Sequence, residues 1–288
     1  MKKINLPYAF ASILSTSLLF ASTGIAEEAV TPVAEKKPMT EEVIAKEKGK
    51  SLLSSDLYVD FYSAYICRGM LLAEDPVWQP NASLLLNLDD YGSLFTTFFA
   101  NFNMMTRTHH NQCGGIDEID YTIGYQVDVS FLTLGIAHSW FTYPSITDSQ
   151  YEKSTREINL SAEIANEYVV PFVEVNVDYA RADGIYVLAG LRKETKVVDQ
   201  LMMGAEVSLG GGTNPYTEYY FGNNSKSGLV DGNIAIYSQF DLTDNVYIGA
   251  RIAYMAVLDS GIQGVYPSYD NDTKNNIIWG GFTFGVTF

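Results

Sequence analysis

The last thirteen residues, NIIWGGFTFGVTF (276–288), show most clearly how this chain folds. From Phe282 onward, large apolar residues recur at every second position with small or polar residues between them: Phe282, Phe284, Val286 and Phe288 alternate with Thr283, Gly285 and Thr287, and Ile278 falls on the same face. A period of two places successive side chains on opposite faces of a β-strand. The segment therefore predicts a strand with one apolar face.

The same period recurs along the chain from residue 57 onward. It predicts twelve strands, at 57–67, 78–88, 92–105, 117–128, 130–141, 155–166, 170–180, 183–192, 199–209, 232–241, 245–258 and 276–288. Strands of soluble proteins usually run about five or six residues, whereas a tilted strand that crosses a membrane needs about 9–11. Strand length therefore favours a membrane protein.

The connections between the predicted strands alternate in length. Long ones follow the odd-numbered strands, at 68–77, 106–116, 142–154, 210–231 and 259–275, with a short exception at 181–182. Those after the even-numbered strands are short, at 89–91, 129, 167–169, 193–198 and 242–244. A transmembrane barrel with short periplasmic turns and long external loops has this arrangement. In the alternative, a soluble sandwich or barrel, the apolar face would point inward.

The beginning of the chain resembles a secretory signal. Lys2 and Lys3 precede the apolar stretch LPYAFASILSTSLLFAS (6–22), and GIA (24–26) supplies small residues for cleavage. We therefore predict a signal peptide at 1–26 and localisation in the outer membrane of a Gram-negative bacterium.

Residues 27–55 differ from the rest of the chain because they lack aromatic residues and alternate Glu and Lys. They predict a charged periplasmic spacer that is disordered or forms a short helix. A tether to the cell wall or to a partner is the alternative role. The predicted domains are thus a signal peptide (1–26), a spacer (27–55) and, at 56–288, an all-β domain: a closed antiparallel transmembrane β-barrel of about twelve strands.

Aromatic residues cluster near the ends of the predicted strands, as in the girdles at membrane surfaces. We place Tyr65, Trp140, Phe141 and Tyr179 at one rim, and Tyr91, Tyr168, Phe240 and Phe288 at the other.

Three segments resemble those of a known group. SAYICRG (63–69) has a Ser-x-Tyr-x-x-Arg-Gly pattern, and LDSG (258–261) and NNIIWGGFTF (275–284) lie near the end of the chain. In these segments the chain resembles the TorF-like putative porins of Gram-negative bacteria. The resemblance implies an outer-membrane barrel with a pore, surrounded by outer-membrane lipid. Cys67 and the charged N-terminal extension depart from the family pattern.

The C-terminal strand ends in an aromatic residue, Phe288. This ending resembles the terminal signal that the outer-membrane assembly machinery reads, so we expect that machinery to be a partner of the chain.

The second face of each strand supplies the candidate pore lining. It collects Asp60, Tyr62, Asp120, Asp128, Glu163, Glu174, Asp178, Arg192, Glu206 and Arg251. Together with Glu157 this face carries eight acids against two bases. An acidic wall concentrates cations, so we predict a cation-preferring lumen. Salt bridges from Arg192 and Arg251 to several carboxylates are the alternative account of these charges.

Composition and motifs narrow the possible functions. The formal net charge of −16 gives no basic surface for nucleic acid. Two cysteines are too few for a four-thiolate zinc site. His138 and Ser139 are sequence neighbours, so on a strand they point to opposite faces and form no catalytic pair. We expect no enzymatic activity, no metal and no cofactor.

The expected function is passive diffusion of small hydrophilic solutes or ions through a pore. A barrel plugged by side chains, serving as a scaffold for periplasmic or cell-wall partners, is the alternative. Strand number leaves the two open, since eight strands enclose only side chains and 16–18 leave a channel.

The two cysteines, Cys67 and Cys113, fall at the end of the first predicted strand and in the loop after the third. Both positions lie on one rim, in an oxidising compartment. We predict a disulfide between them, with two unpaired thiols as the alternative.

Overall fold

The computed structural model describes residues 52–104, 115–144, 154–222, 226–262 and 275–288. The predicted signal peptide, nearly all of the predicted spacer, and Cys113 lie outside these residues.

Within the described residues, twelve long strands form one closed antiparallel barrel. The barrel strands are β1 (Leu53–Tyr62), β4 (Val77–Asn87), β5 (Ser93–Asn103), β6 (Ile116–Val129), β7 (Leu132–Thr142), β8 (Ser154–Ile164), β9 (Val170–Asp178), β10 (Gly184–Val198), β11 (Leu201–Gly212), β12 (Gly228–Asp241), β13 (Val246–Val257) and β14 (Asn276–Thr287). Two short strands, β2 (Tyr65–Cys67) and β3 (Met70–Ala73), pair only with each other. The predicted twelve-stranded barrel is confirmed.

Closure depends on the two ends of the barrel sequence. Strand β1 pairs with β14 from Asp56 opposite Thr287 to Tyr62 opposite Gly281. Beyond these pairs, the backbone N–H of Phe288 donates to the carbonyl of Ser55 at 2.9 Å. Closure leaves no open sheet edge, which is what a membrane-spanning sheet requires.

The outward face of the barrel is apolar. Every second residue along the strands is exposed and large, including Leu57, Phe61, Leu84, Phe98, Ile123, Ile136, Ile158, Leu160, Leu191, Val207, Ile234, Ile236, Ile252, Ile278, Phe282 and Phe284. In water such a surface would be unfavourable by about 25 cal/mol for each Å². In lipid it is the expected surface, so the barrel is a transmembrane one.

The first predicted strand is wrong in its bounds. Instead of 57–67, β1 covers Leu53–Tyr62, so it includes three residues assigned to the spacer, and Cys67 lies in β2. Strand β11 extends through the glycines 210–212, which the sequence placed in a loop.

Two of the predicted rim aromatics are also wrong. Tyr65 is 4% exposed in β2, and Phe141 is 6% exposed because it lies on the inward face of β7. Tyr91, Tyr168 and Phe288 are exposed near the opposite rim, as predicted.

The alternation of long and short connections is retained. Connections of more than ten residues follow β1, β5, β7, β11 and β13. The connection between β10 and β11 is short and consists of Asp199 and Gln200. One helix, α1 (Asn214–Phe221), lies in the connection after β11. In the described part of the chain, no helix is both long and apolar enough to cross a membrane.

The membrane assignment predicts a depth-dependent cost of charge. Ile236 is 53% exposed near the middle of β12, and Val198 is 56% exposed at the end of β10. Ile236→Arg should lower the free energy of unfolding in lipid vesicles by about 2–4 kcal/mol, and Val198→Arg by about 0–1 kcal/mol. Reversible denaturant titration of both refolded variants measures the difference. Equal losses for the two variants would contradict a lipid-facing belt.

Candidate functional site: the interior of the barrel

A short hairpin enters the barrel directly after β1. We call β2, β3 and their turn (Tyr65–Ala73) the inserted hairpin. Its two turn residues, Arg68 and Gly69, have φ values of 47° and 78°, and Cys67 pairs with Met70 on either side of them. Two successive residues with positive φ are the feature of the tightest hairpin turns, and glycine takes this conformation readily.

The tip of the inserted hairpin reaches the far wall of the barrel. Arg68 donates through Nη1 to Oε1 of Glu157 at 2.6 Å and through Nη2 to Oε2 at 2.8 Å. Glu157 belongs to β8, which stands seven strands from β1 in one direction around the barrel and five in the other. The hairpin therefore crosses the lumen, and a bidentate ion pair fixes its tip.

Apolar packing holds the body of the hairpin. Tyr65, Ile66 and Met70 are buried in one cluster with inward residues of the wall. The Tyr65 ring lies 5.9 Å from that of Phe99 on β5. A Cβ added at Gly69 would lie 3.0 Å from the Cβ of Asp231 on β12, so the tip touches a second part of the wall.

Helix α1 fills the lumen at the same end. Its Tyr216 is fully buried, and the ring lies 5.4 Å from that of Tyr186 on β10. The hydroxyl of Tyr220 donates to Oδ2 of Asp178 at 2.8 Å. Hairpin and helix thus occupy the lumen at the end where the long connections lie.

The wall beside Glu157 is a connected polar network. The Asn159 amide donates to Oε2 of Glu157 at 3.2 Å and to Oδ1 of Asn176 at 2.7 Å. Ser139 donates to Asn159 at 2.6 Å and lies 2.9 Å from the hydroxyl of Thr122. Buried polar groups satisfied in this way hold the wall in one arrangement.

The ten residues predicted to line the pore all lie on the inward face. Seven are buried, namely Asp60, Tyr62, Asp120, Glu163, Glu174, Asp178 and Arg192. Glu206 and Arg251 are half-buried. Asp128 is exposed at the end of β6, where its carboxylate accepts a hydrogen bond from Thr133 at 2.7 Å.

The inward arginines differ in their partners. Nη2 of Arg192 donates to both oxygens of Glu163, at 2.9 and 3.0 Å, joining β10 to β8. Nε and Nη1 of Arg251 have no hydrogen-bond partner among the described residues. Among the described residues, Arg192 binds the single carboxylate of Glu163 and no ion pair of Arg251 is found, in contrast to the alternative in which each arginine binds several carboxylates.

Sequence reasoning missed several inward groups. The sequence places Arg68 in the connection 68–77 and Asp56 at the first residue of the barrel domain, before the first predicted strand. Glu118 and Asp231 are also buried on the inward face, and Glu194 is half-buried there. The alternation with Tyr58 and Asp60 was the signal that places Asp56 inward.

A recess opens in the wall below the hairpin. The Arg251 recess is lined by residues of β1, β12, β13 and β14, among them Asp60, Tyr62, Tyr237, Gln239, Tyr247, Arg251 and Thr283. It holds about 340 Å³ of space, counting the part that is open to solvent. Two wall tyrosines lie flat against glycines, because a Cβ at Gly204 or Gly285 would be about 2.1 Å from the ring of Tyr237 or Tyr247.

The histidine that sequence reasoning considered for catalysis lies outside the lumen. Nε2 of His138 is 2.6 Å from the hydroxyl of Tyr179, and its ring lies 4.0 Å from that of Trp140. Ser139 is fully buried on the opposite face of β7. The two therefore do not pair. In the described ranges, no three His, Cys, Asp or Glu side chains are grouped as a metal site would need.

Cys67 of the inserted hairpin is half-buried and has no disulfide partner among the described residues. Cys113 lies outside the described residues, so the disulfide between Cys67 and Cys113 stays a prediction.

Comparisons with known proteins concern the fold. A scan of protein-family models gives no match to this sequence, and a search of curated proteins gives none. Among solved structures, the chain is similar to a NanC porin at 8% identity and TM-score 0.48, over 81% of this chain and 98% of that one. It is similar to an outer membrane channel from Pseudomonas putida F1 at 9% identity and TM-score 0.47, over 88% and 100%. It is also similar to the KdgM porin in complex with disordered oligogalacturonate, at 8% identity and TM-score 0.45, over 82% and 98%. Likenesses at this level carry no information about solute or activity.

The position of the hairpin predicts an unreactive thiol. Burial raises the pKa of Cys67 to about 12, so almost no thiolate is present at pH 8. In a Cys113→Ser protein, maleimide at pH 8 should label Cys67 far more slowly in the folded barrel than in denaturant. The labelling rate of the folded protein, measured with iodoacetamide because maleimide hydrolyses in alkali, should rise as the pH increases above 8. Equal rates in the folded and denatured states, measured by mass spectrometry, would place the hairpin outside the lumen.

Proposed function

We propose that the protein is a porin-like channel in the outer membrane of a Gram-negative bacterium, for passive diffusion of small hydrophilic solutes or ions. One observation carries the proposal: a closed barrel with a lipid-compatible exterior surrounds an interior lined by ionisable side chains. Burying these groups is costly unless they are paired or hydrated. A water-containing path along the lumen is therefore the arrangement that best accounts for them.

The inserted hairpin is the constriction of this channel. It crosses the lumen from β1 to β8, and the bidentate contact between Arg68 and Glu157 fixes its tip. The hairpin leaves a narrow path while the ion pair is intact, and a wider one when the tip detaches.

Removing the contact should therefore increase conductance. Arg68→Gln takes away the charge of the hairpin tip and leaves Glu157 buried without its partner, a loss of about 3–5 kcal/mol for a buried pair. In planar bilayers, the single-channel conductance of Arg68→Gln should exceed that of the unmodified protein several-fold. Arg192→Gln is the matched control, because it removes an equal charge from a pair that joins two wall strands.

Two results would contradict the role of the hairpin. One is an Arg68→Gln conductance equal to that of the unmodified protein. The other is an equally large increase in Arg192→Gln, which would assign the effect to lumen charge alone.

We further propose that the channel prefers cations. Among the described residues, the inward carboxylates include Asp56, Asp60, Glu118, Asp120, Asp128, Glu157, Glu163, Glu174, Asp178, Glu194, Glu206, Asp231 and Asp241. The inward arginines are Arg68, Arg192 and Arg251, so acids outnumber arginines. A negative wall in a medium of low dielectric constant attracts cations and repels anions.

Reversal potentials across a KCl gradient test this preference. The unmodified protein should be selective for K⁺ over Cl⁻, and Glu206→Gln should reduce the ratio because it removes a half-buried lumenal carboxylate. Leu191→Gln changes the outward face of β10 and should leave the ratio unchanged. Selectivity for Cl⁻ in the unmodified protein would reject the preference.

A scaffold is the second candidate function, favoured by the hairpin and α1 inside the lumen. In that case the barrel is a closed support for periplasmic or cell-wall partners. Absence of conductance in both the unmodified protein and Arg68→Gln, with correct folding, would select the scaffold.

The remaining expectations belong to the same proposal. They are the signal peptide at 1–26, the periplasmic spacer, kinship with the TorF-like porins, assembly through the strand ending in Phe288, and the absence of enzymatic activity and of a metal or cofactor.

A further inference from the structure

The Arg251 recess contains a charged group that the protein itself does not satisfy. The guanidinium carbon of Arg251 lies 5.8 Å from the ring centre of Tyr237 and 5.5 Å from that of Trp279. These rings position the guanidinium, but they accept no conventional hydrogen bond from it. Because Nε and Nη1 have no partner among the described residues, the group retains donors for an acceptor that is not part of the wall.

Among the inward arginines, Arg251 differs from Arg192 and Arg68 because it has no ion pair among the described residues. Arg192 also lies over an aromatic ring, that of Phe172 at 5.7 Å, yet it binds Glu163. Arg68 likewise binds Glu157. In a lumen with many carboxylates, an arginine without an ion pair among the described residues is the exception.

A second unpartnered group lies in the same recess. Gln239 is 2% exposed, and its Nε2 donates to Oδ1 of Asp241 at 2.8 Å. Its Oε1 has no partner among the described residues, so it is an acceptor available to a donor. The carboxylate of Asp60 adds negative charge to the lining.

We propose that the Arg251 recess binds a small zwitterion that carries a carboxylate and an ammonium group, that is, an amino acid. The carboxylate accepts hydrogen bonds from Arg251, and the ammonium donates to Oε1 of Gln239 on the side where Asp60 lies. Charge-assisted hydrogen bonds of this kind are about twice as strong as neutral ones. The proposal names the solute class of the channel proposed above and rests on that function only for the route by which the solute arrives.

Net charge favours a zwitterion over a simple anion. The acidic lumen repels any solute with a net negative charge, whereas a zwitterion has none.

Binding can be measured without transport. Trp279 lies against Arg251, and the chain has three tryptophans, so Trp78→Phe and Trp140→Phe leave Trp279 as the single fluorophore. The full chain in detergent is titrated with L-alanine, with L-lactate, in which a hydroxyl replaces the ammonium, and with L-alaninol, which lacks the carboxylate. Alanine should give a saturable change in Trp279 fluorescence, with at least about tenfold weaker binding of the other two.

Variants assign the effect to the recess. Arg251→Gln should weaken alanine binding by at least about tenfold, whereas Arg192→Gln, with the same loss of charge, should leave it within about twofold. Arg251→Lys keeps the charge but not the planar fork and should give an intermediate affinity. Heat-modifiable gel migration verifies folding, and if Arg251→Gln fails to fold, Gln239→Leu replaces it with the same expected weakening.

Several results would overturn the proposal. They are no saturable signal with alanine, equal binding of lactate, or equal weakening by Arg192→Gln. The first result would mean that water alone satisfies Arg251. Conductance without alanine binding rejects the site but not the channel, and alanine binding without conductance rejects the channel but not the site.

Discussion

The pairing of β1 with β14 is the constraint on which this structure depends. In hydrocarbon each unpaired backbone group costs several kcal/mol, so a sheet can cross a membrane only when its first and last strands meet. Twelve strands then enclose an interior wider than that of eight-stranded barrels, whose own side chains fill it, and narrower than that of open porins. In the described residues, the inserted hairpin and α1 occupy this intermediate space. Closure of the wall and obstruction of the lumen are therefore linked through strand number.

The interior charges also depend on pairing between different parts of the barrel. Arg68 and Arg192 each face a carboxylate of β8, Glu157 and Glu163, so one strand receives both ion pairs. The first pair attaches the hairpin to the wall, and the second joins two parts of the wall. Arg251 has neither role, and the structure leaves it facing Gln239 and Asp60 in an open recess. The same type of side chain thus has three roles that depend on its partner. Arg68 attaches the hairpin to the wall, Arg192 joins two wall strands, and Arg251 is a candidate solute contact.

The sequence was sufficient to predict the barrel because apolar and polar residues alternate along strands that have one lipid-facing side, as in 282–288. It was insufficient for the hairpin, since consecutive residues such as Tyr65 and Ile66 are both buried inside the lumen, so the hairpin shows no alternation of period two. The anchor joins Arg68 to a residue 89 positions away, a distance beyond any local pattern. Glycines 210–212 were assigned to a loop because residues without side chains show no period. The inward face was predictable residue by residue, but which carboxylate each arginine binds depends on strand register.

The location of the hairpin tip is the central claim, and a cysteine cross-link tests it most directly. In a chain without its natural cysteines, Gly69→Cys with Asp231→Cys should form a disulfide on mild oxidation. A Cβ at residue 69 lies 3.0 Å from that of Asp231, and disulfides need about 3.5–4.5 Å, so only a small shift is required. Gly69→Cys with Asp56→Cys, at the far end of β1, should remain reduced. A bridge in the first pair alone, detected by mass spectrometry, is the result this account predicts; two free thiols in a folded, oxidised barrel would contradict it.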